Sequence, residues 1–226
     1  MFVFLSYPLN PADLGWPGGP EFKTEPTAIC GVNGNAYNTS LVHLPNHFGT
    51  HFDAPKHFNN NGPSMVELPI DYFVYKQSEI LLVNIPKGPK EGIAAEDLKP
   101  YEDQIKRVKL LLIRTGFDKY KFAEPALYVN EGPYLHPDCC KYMVETFDKL
   151  LCVGLDFLSV GTPANDLAAA SHQWLLGVHT KKFITAIEDM PMSPLDNKKI
   201  ISVTLGPLRI EGIDSAQLSI MAEVAE

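Results

Sequence analysis

The 226-residue sequence predicts a mixed α/β fold formed as one domain over residues 1–226. Two observations carry that expectation. Short aliphatic runs of strand length recur along the chain, and helical patterns alternate with them in the second half. The first half is richer in turns and is expected to contribute antiparallel hairpins. The length suits one sizeable core better than two full domains.

The expected strands are Glu79–Ile85, Val108–Arg114, Leu150–Phe157, Phe183–Ile187 and Ile200–Leu205, each rich in aliphatic or β-branched residues. Between them, residues 94–105 read as a short helix broken at Pro100. Residues 137–149 read as a helix with Pro137 in its first turn. Residues 164–176 are rich in Ala and Leu, with Asn165 or Asp166 available as a cap. The 19 prolines fall largely between these segments, as short connections in a compact chain require.

Composition excludes several classes. A formal charge of −8 argues against nucleic acid or an anionic membrane as partner, since both need basic patches. No run approaches the roughly 20 apolar residues of a membrane span. The opening MFVFLSYPLN has neither a basic region nor a small-residue cleavage site, so a first strand is expected there and not a signal peptide. Cys30, Cys139, Cys140 and Cys152 form no CxxC pair, and reduced thiols in a cytoplasmic protein are the expectation. There is no P-loop, no GxGxxG and no GxSxG elbow.

One segment carries chemistry. Four of the seven histidines lie between His43 and His57. In an extended strand alternate side chains share a face, so His47, His51 and Asp53 should converge while Thr50 and Phe52 face the core. Gly49 should leave space between the two imidazoles. Pro55 should end the strand, leaving His57 to come from the following turn. Two imidazoles and a carboxylate on one face suit zinc, manganese or ferrous iron better than an all-oxygen ion. Without a cation, burying these groups together would cost several kcal/mol. Even-numbered His43 is expected to play a structural part or to support a ligand, and His136, beside Pro137, to be a turn or capping residue, with lining of the pocket as the lesser alternative. Alone, His172 would read as a structural histidine of its helix, while Glu188, at the end of a buried strand, is placed where ligands gather in α/β folds.

The run His47–His57 matches the HxGTHxDxPxH signature of the metal-dependent cyclase/kynurenine formamidase family, which it resembles at every specified position. Trp16-Pro17-Gly18, Arg114-Thr115-Gly116-Phe117, Val153-Gly154-Leu155-Asp156 with Ser159, and His172-Gln173-Trp174-Leu175-Leu176 are similar to other family segments. Phe4-Leu5-Ser6-Tyr7 lacks the acid and the histidine usual near the family's N-terminus, and Gly19 stands where an aspartate is usual. The resemblance implies a swivelling β/β/α-like fold and a homo-oligomer, dimer or tetramer. It implies that His47, His51 and Asp53 hold a first divalent metal, zinc or manganese. His57, His172 and Glu188 would complete a second site or move protons beside the first.

The chemistry expected is hydrolysis of a small-molecule amide. A divalent ion lowers the pKa of bound water towards neutrality. His57 or Glu188 would take the proton and pass it to the leaving amine. Trp16 and nearby aromatics would form a flat slot for an aryl ring. Kynurenine formamidases, which hydrolyse N-formylkynurenine in tryptophan breakdown, and isatin hydrolases, which open a cyclic amide, both belong to the resembled family. A metal- or ligand-binding protein without turnover is the alternative from another class.

Overall fold

The computed structural model describes residues 1–225. Its centre is a nine-stranded mixed sheet. In chain order the strands are β1 (Phe2–Phe4), β2 (Lys23–Ala28), β3 (Thr39–His43), β4 (His51–Asp53), β5 (Val74–Lys76), β6 (Ile80–Asn84) and β7 (Gly92–Ile93). They continue as β8 (Leu110–Arg114), β9 (Tyr134–Leu135), β10 (Cys152–Leu155), β11 (Thr185–Glu188), β12 (Lys199–Pro207) and β13 (Ser215–Ala225). The sheet runs β5-β12-β13-β4-β11-β10-β8-β6, with β1 on β13. β6, β8, β10 and β11 pair in parallel. β4, β13, β12, β5 and β1 pair antiparallel. The two patterns meet at β4 and β11.

The helices that pack on this sheet are short. Residues 94–105 form α1 (Ala95–Leu98) and α2 (Glu102–Ile105), separated by a 3-10 turn at Lys99–Tyr101. Pro100 sits in that turn because it cannot supply a helical N–H. α3 (Tyr120–Ala123) and α4 (Pro125–Asn130) precede α5 (Pro137–Thr146), where the His136 side chain caps the Asp138 N–H at 3.2 Å. α6 (Ala168–Leu175) begins four residues later than the sequence pattern suggests. Asn165 does not cap it. Its Oδ1 instead accepts from Leu167 N at 2.9 Å and holds a turn before the helix.

Strand alternation divides the core in two. Leu111, Ile113, Val153 and Leu155 face Cys139, Met143 and Leu175 of α5 and α6. Leu110, Leu112, Cys152, Phe52 and Ile187 face Tyr75, Val203, Leu205 and Ile220 of the antiparallel half. Cys139, Cys140 and Cys152 are buried free thiols and Cys30 is an exposed one. No helix among the described residues is long and apolar enough to cross a membrane.

The antiparallel half is not simply the first half of the chain. Its longest strand is β13, absent from the strands expected above, whose Leu218, Ile220, Ala222 and Val224 alternate inward with a period of two. A mixed sheet with helices packed on it is the α/β architecture expected.

Candidate metal centre

The site lies where the sheet changes direction. His51 of β4 stands directly opposite Glu188 of β11. Asp53, two residues along, shares their face and is flanked by the small residues Ala186 and Ser215 on the neighbouring strands. Thr50 and Phe52 point the other way and are buried. Thr50 Oγ1 donates to the Asp189 carbonyl at 2.6 Å and accepts from Tyr7 N at 3.0 Å, tying the ends of β4 and β11 together.

His47 departs from the expected strand. Extended structure begins only at His51, because Gly49 has φ +67°, which turns the chain. Nor does Gly49 leave open space, since a Cβ there would lie 2.5 Å from Leu9 Cδ2. The turn nevertheless returns His47 to the cluster, with Nδ1 3.1 Å from Asp53 Oδ1. His57 comes from the 3-10 turn Pro55–His57, with Nε2 4.0 Å from Asp53 Oδ2. α6 supplies His172, whose Nε2 is 3.3 Å from Glu188 Oε1 and 3.8 Å from Asp53 Oδ2.

The hydrogen bonds around these rings specify which nitrogens carry protons. His51 Nδ1 lies 2.8 Å from the Gly49 carbonyl and His172 Nδ1 2.7 Å from the Ala168 carbonyl. A carbonyl only accepts, so both Nδ1 atoms are protonated. In the neutral rings the Nε2 lone pairs then face carboxylates: His51 Nε2 is 3.2 Å from Glu188 Oε2 and 3.5 Å from Asp53 Oδ1. His51 Nε2 and both Asp53 oxygens are buried with no hydrogen-bond partner. A ring whose Nε2 faces a carboxylate in a buried site either carries a second proton there or holds a cation through that nitrogen.

The electrostatics agree. Burial would lower the His47 pKa, yet the neighbouring Asp214 and Asp53 carboxylates raise it to about 10. Burial would raise Glu188, yet His172 and His51 hold its carboxyl well below the ordinary range. The carboxylates draw positive charge to this spot, as a proton or as an ion.

Two donor sets have ligand atoms within 4.8 Å of one another, His47–Asp53–His57 and His51–Asp53–Glu188, with Asp53 common to both. Asp53 Oδ1 faces His47 and His51, and Oδ2 faces His57 and His172. Glu188 Oε1 accepts from Ser159 Oγ at 2.9 Å and Val160 N at 2.6 Å, leaving Oε2 as its free oxygen. The donors fit one or two borderline divalent ions.

A cavity of about 470 Å³ opens over the cluster, lined by Trp16, Phe48, Phe58, Leu158, His47, His51, His57, His172 and Glu188 among others. Phe58 stacks on the His172 ring at 4.7 Å. Trp16 lies on this wall, half-exposed. His43 is elsewhere, exposed on β3 and paired with Glu25 at 3.2 Å. Asp214, the residue before β13, is a further member of the site. Its Oδ2 lies 2.9 Å from both His47 Nε2 and His57 Nδ1. No local motif marks it, because it reaches the cluster only through the pairing of β13 with β4.

Buried imidazoles and carboxylates with ligand atoms within 4.8 Å of one another, at the floor of a cavity open to a small molecule, are the kind of site metal-dependent hydrolases use. The Cyclase family profile matches residues 3–162, and the chain belongs to that family. A Haemophilus influenzae protein described as uncharacterized is 41% identical over 121 residues, covering 54% of this chain and 84% of its own length. A kynurenine formamidase of Bacillus mycoides is 29% identical over 180 residues, 79% of each chain. The fold is similar to isatin hydrolase A of Labrenzia aggregata, solved bound to benzyl benzoate, at TM-score 0.79 and 20% identity over 98% of this chain and 93% of that one. Isatin hydrolase A of Ralstonia solanacearum gives TM-score 0.77 and 18% identity over 100% and 92%.

Proposed function

We propose that this protein hydrolyses aryl amides by the kynurenine formamidase reaction, converting N-formylkynurenine to kynurenine and formate. The observation that carries the reading is the buried meeting of His47, His51, Asp53, His57, His172 and Glu188, with unpartnered donor atoms, beneath an aromatic-walled cavity. The similarity to named kynurenine formamidases supports the substrate. A divalent ion, zinc or manganese, bound by these side chains supplies Lewis acidity and an activated water.

The residues themselves do the rest. His51, Asp53 and Glu188 are buried and aimed at one another, which suits holding an ion. Glu188 is anchored through Oε1 by Ser159 and Val160, so it is better built to hold than to shuttle. His57 is partly exposed, lines the cavity and keeps Nδ1 on Asp214, so its Nε2 would either hold an ion beside Asp53 or, where no ion occupies it, accept a proton and return it to the departing aniline nitrogen. Trp16, Phe48 and Phe58 offer flat apolar walls to the aryl ring.

One observation favours a second reading. Among the described residues, no lysine or arginine lines the cavity. A carboxylate-bearing amino acid would find no basic partner on this wall, whereas an uncharged cyclic amide such as isatin would need none. Hydrolysis of N-formyl-L-kynurenine and of isatin by protein loaded in turn with zinc and manganese separates the two. Metal-dependent turnover of the formamide supports the first reading, and turnover of isatin alone replaces it with the second. Turnover of neither by metal-loaded protein rejects both and leaves binding without catalysis.

A further inference from the structure

We propose that Asp214 is a positioning residue for the metal centre, one carboxylate oxygen orienting two of its histidines at once. The inference rests on the metal-binding reading above.

An imidazole that binds an ion through one nitrogen carries its proton on the other, and that N–H needs an acceptor to fix tautomer and ring direction. His51 and His172 find theirs nearby in the chain, at the carbonyls of Gly49 and Ala168. Neither His47 nor His57 donates to a backbone carbonyl. The nitrogens they turn away from Asp53, Nε2 of His47 and Nδ1 of His57, both lie 2.9 Å from Asp214 Oδ2. The two rings stand 4.0 Å apart and tilted by 36°. Convergence on one oxygen holds them side by side and aims His47 Nδ1 and His57 Nε2 at opposite oxygens of Asp53.

Asp214 is itself held on both sides. Its Oδ1 accepts from Asn46 Nδ2 at 2.7 Å, the residue before His47. Its backbone carbonyl accepts from Ala54 N at 2.9 Å, the residue after Asp53. The bracket therefore joins the turn carrying His47, the strand carrying Asp53 and the turn carrying His57. Asp214 is not among the residues lining the cavity, and its part is to act through the imidazoles.

The test is calorimetric zinc titration of Asp214→Ala and Asp214→Asn beside the unsubstituted protein, with melting of each metal-free form. Asp214→Ala should weaken zinc binding about 10- to 100-fold at unchanged stoichiometry. Asp214→Asn keeps one acceptor oxygen and should recover part of that loss. The metal-free melting temperature should fall in Asp214→Ala, because His47, His57 and Asn46 lose a partner, and less in Asp214→Asn, so affinities are compared on protein shown to be folded at the titration temperature. Affinity within about twofold of the unsubstituted protein in Asp214→Ala overturns the proposal. So does loss of a whole zinc equivalent, which would make Asp214 a ligand. If Asp214→Ala does not fold, unchanged affinity in Asp214→Asn overturns it and weakened affinity in folded Asp214→Asn protein upholds it. Failure of the unsubstituted protein to bind zinc or manganese would instead reject the metal reading itself.

Discussion

Replacing Gly49 by alanine tests how the signature segment is folded. Two penalties can be worked from the structure. The backbone at Gly49 has φ +67°, where an L-residue with a Cβ is strained by roughly 1–2 kcal/mol. The new Cβ would also sit 2.5 Å from Leu9 Cδ2, so Leu9 must move, at a further cost of roughly 1–3 kcal/mol. The sum, about 2–5 kcal/mol, corresponds to a melting temperature lower by roughly 5–15 °C in a chain of this length. Differential scanning calorimetry of the metal-free protein reads it directly. Adding Leu9→Ala removes the contact and should return the second part only, leaving the backbone strain. The Gly49 carbonyl also receives His51 Nδ1, so zinc affinity should fall together with stability. A Gly49→Ala protein that melts within about 2 °C of the original would refute both the strained turn and the Leu9 contact.

Other expectations concern charge and metal. His51→Ala should abolish metal-dependent hydrolysis and weaken zinc binding while leaving the fold intact by circular dichroism; full activity at full metal occupancy would remove His51 from the ligand set. Stripping the ion with a chelator should lower the melting temperature, and restoring zinc at about 100 times its Kd should return roughly 2.7 kcal/mol, an upward shift of roughly 5–10 °C. Lys121 and Asp189 pair at 2.7 Å with both side chains buried, so Lys121→Ala strands a carboxylate and should cost about 3–5 kcal/mol by urea denaturation. A loss under about 1 kcal/mol would show that Tyr128, which donates to Asp189 at 2.7 Å, suffices. Burial pushes Asp156 up from 3.8 to about 6, although Thr115 and Gly116 donate to it. A folded pKa above the unfolded one means proton uptake on folding, so this contribution to stability is present below about pH 4 and lost as pH rises through about 6. The stability of the protein relative to Asp156→Asn should therefore fall by roughly 2 kcal/mol between pH 4 and 7, the histidine cluster being common to both. A flat difference would show that the Thr115 and Gly116 hydrogen bonds keep the carboxyl ionised.

Much of this protein was legible in its sequence by local rules. The aliphatic runs at residues 110–113 and 152–155 are strands because burial on both faces demands continuous apolar residues, and the run at 80–84 is a half-buried strand at the sheet's edge. His51 and Asp53 share a face because a strand alternates, and Pro55 ends the extended run because it has no N–H to give. The residue types clustered at His47–His57 are those that hold a borderline divalent ion, and the fold brings His47, His51, Asp53 and His57 together.

Tertiary structure alone decided the rest. That β4 lies between β11 and β13, and so sets His51 opposite Glu188, depends on strand order, which no local pattern encodes. His47 joined the cluster through a left-handed turn at Gly49 and not through strand alternation. Asp214 became a partner of two histidines from more than 150 positions away, with separations of 167 and 157 residues. The physical reason is the same in each case. Periodicity and propensity act over a turn or a strand, whereas the direction of an imidazole's second nitrogen is settled by whichever acceptor the folded sheet brings beside it.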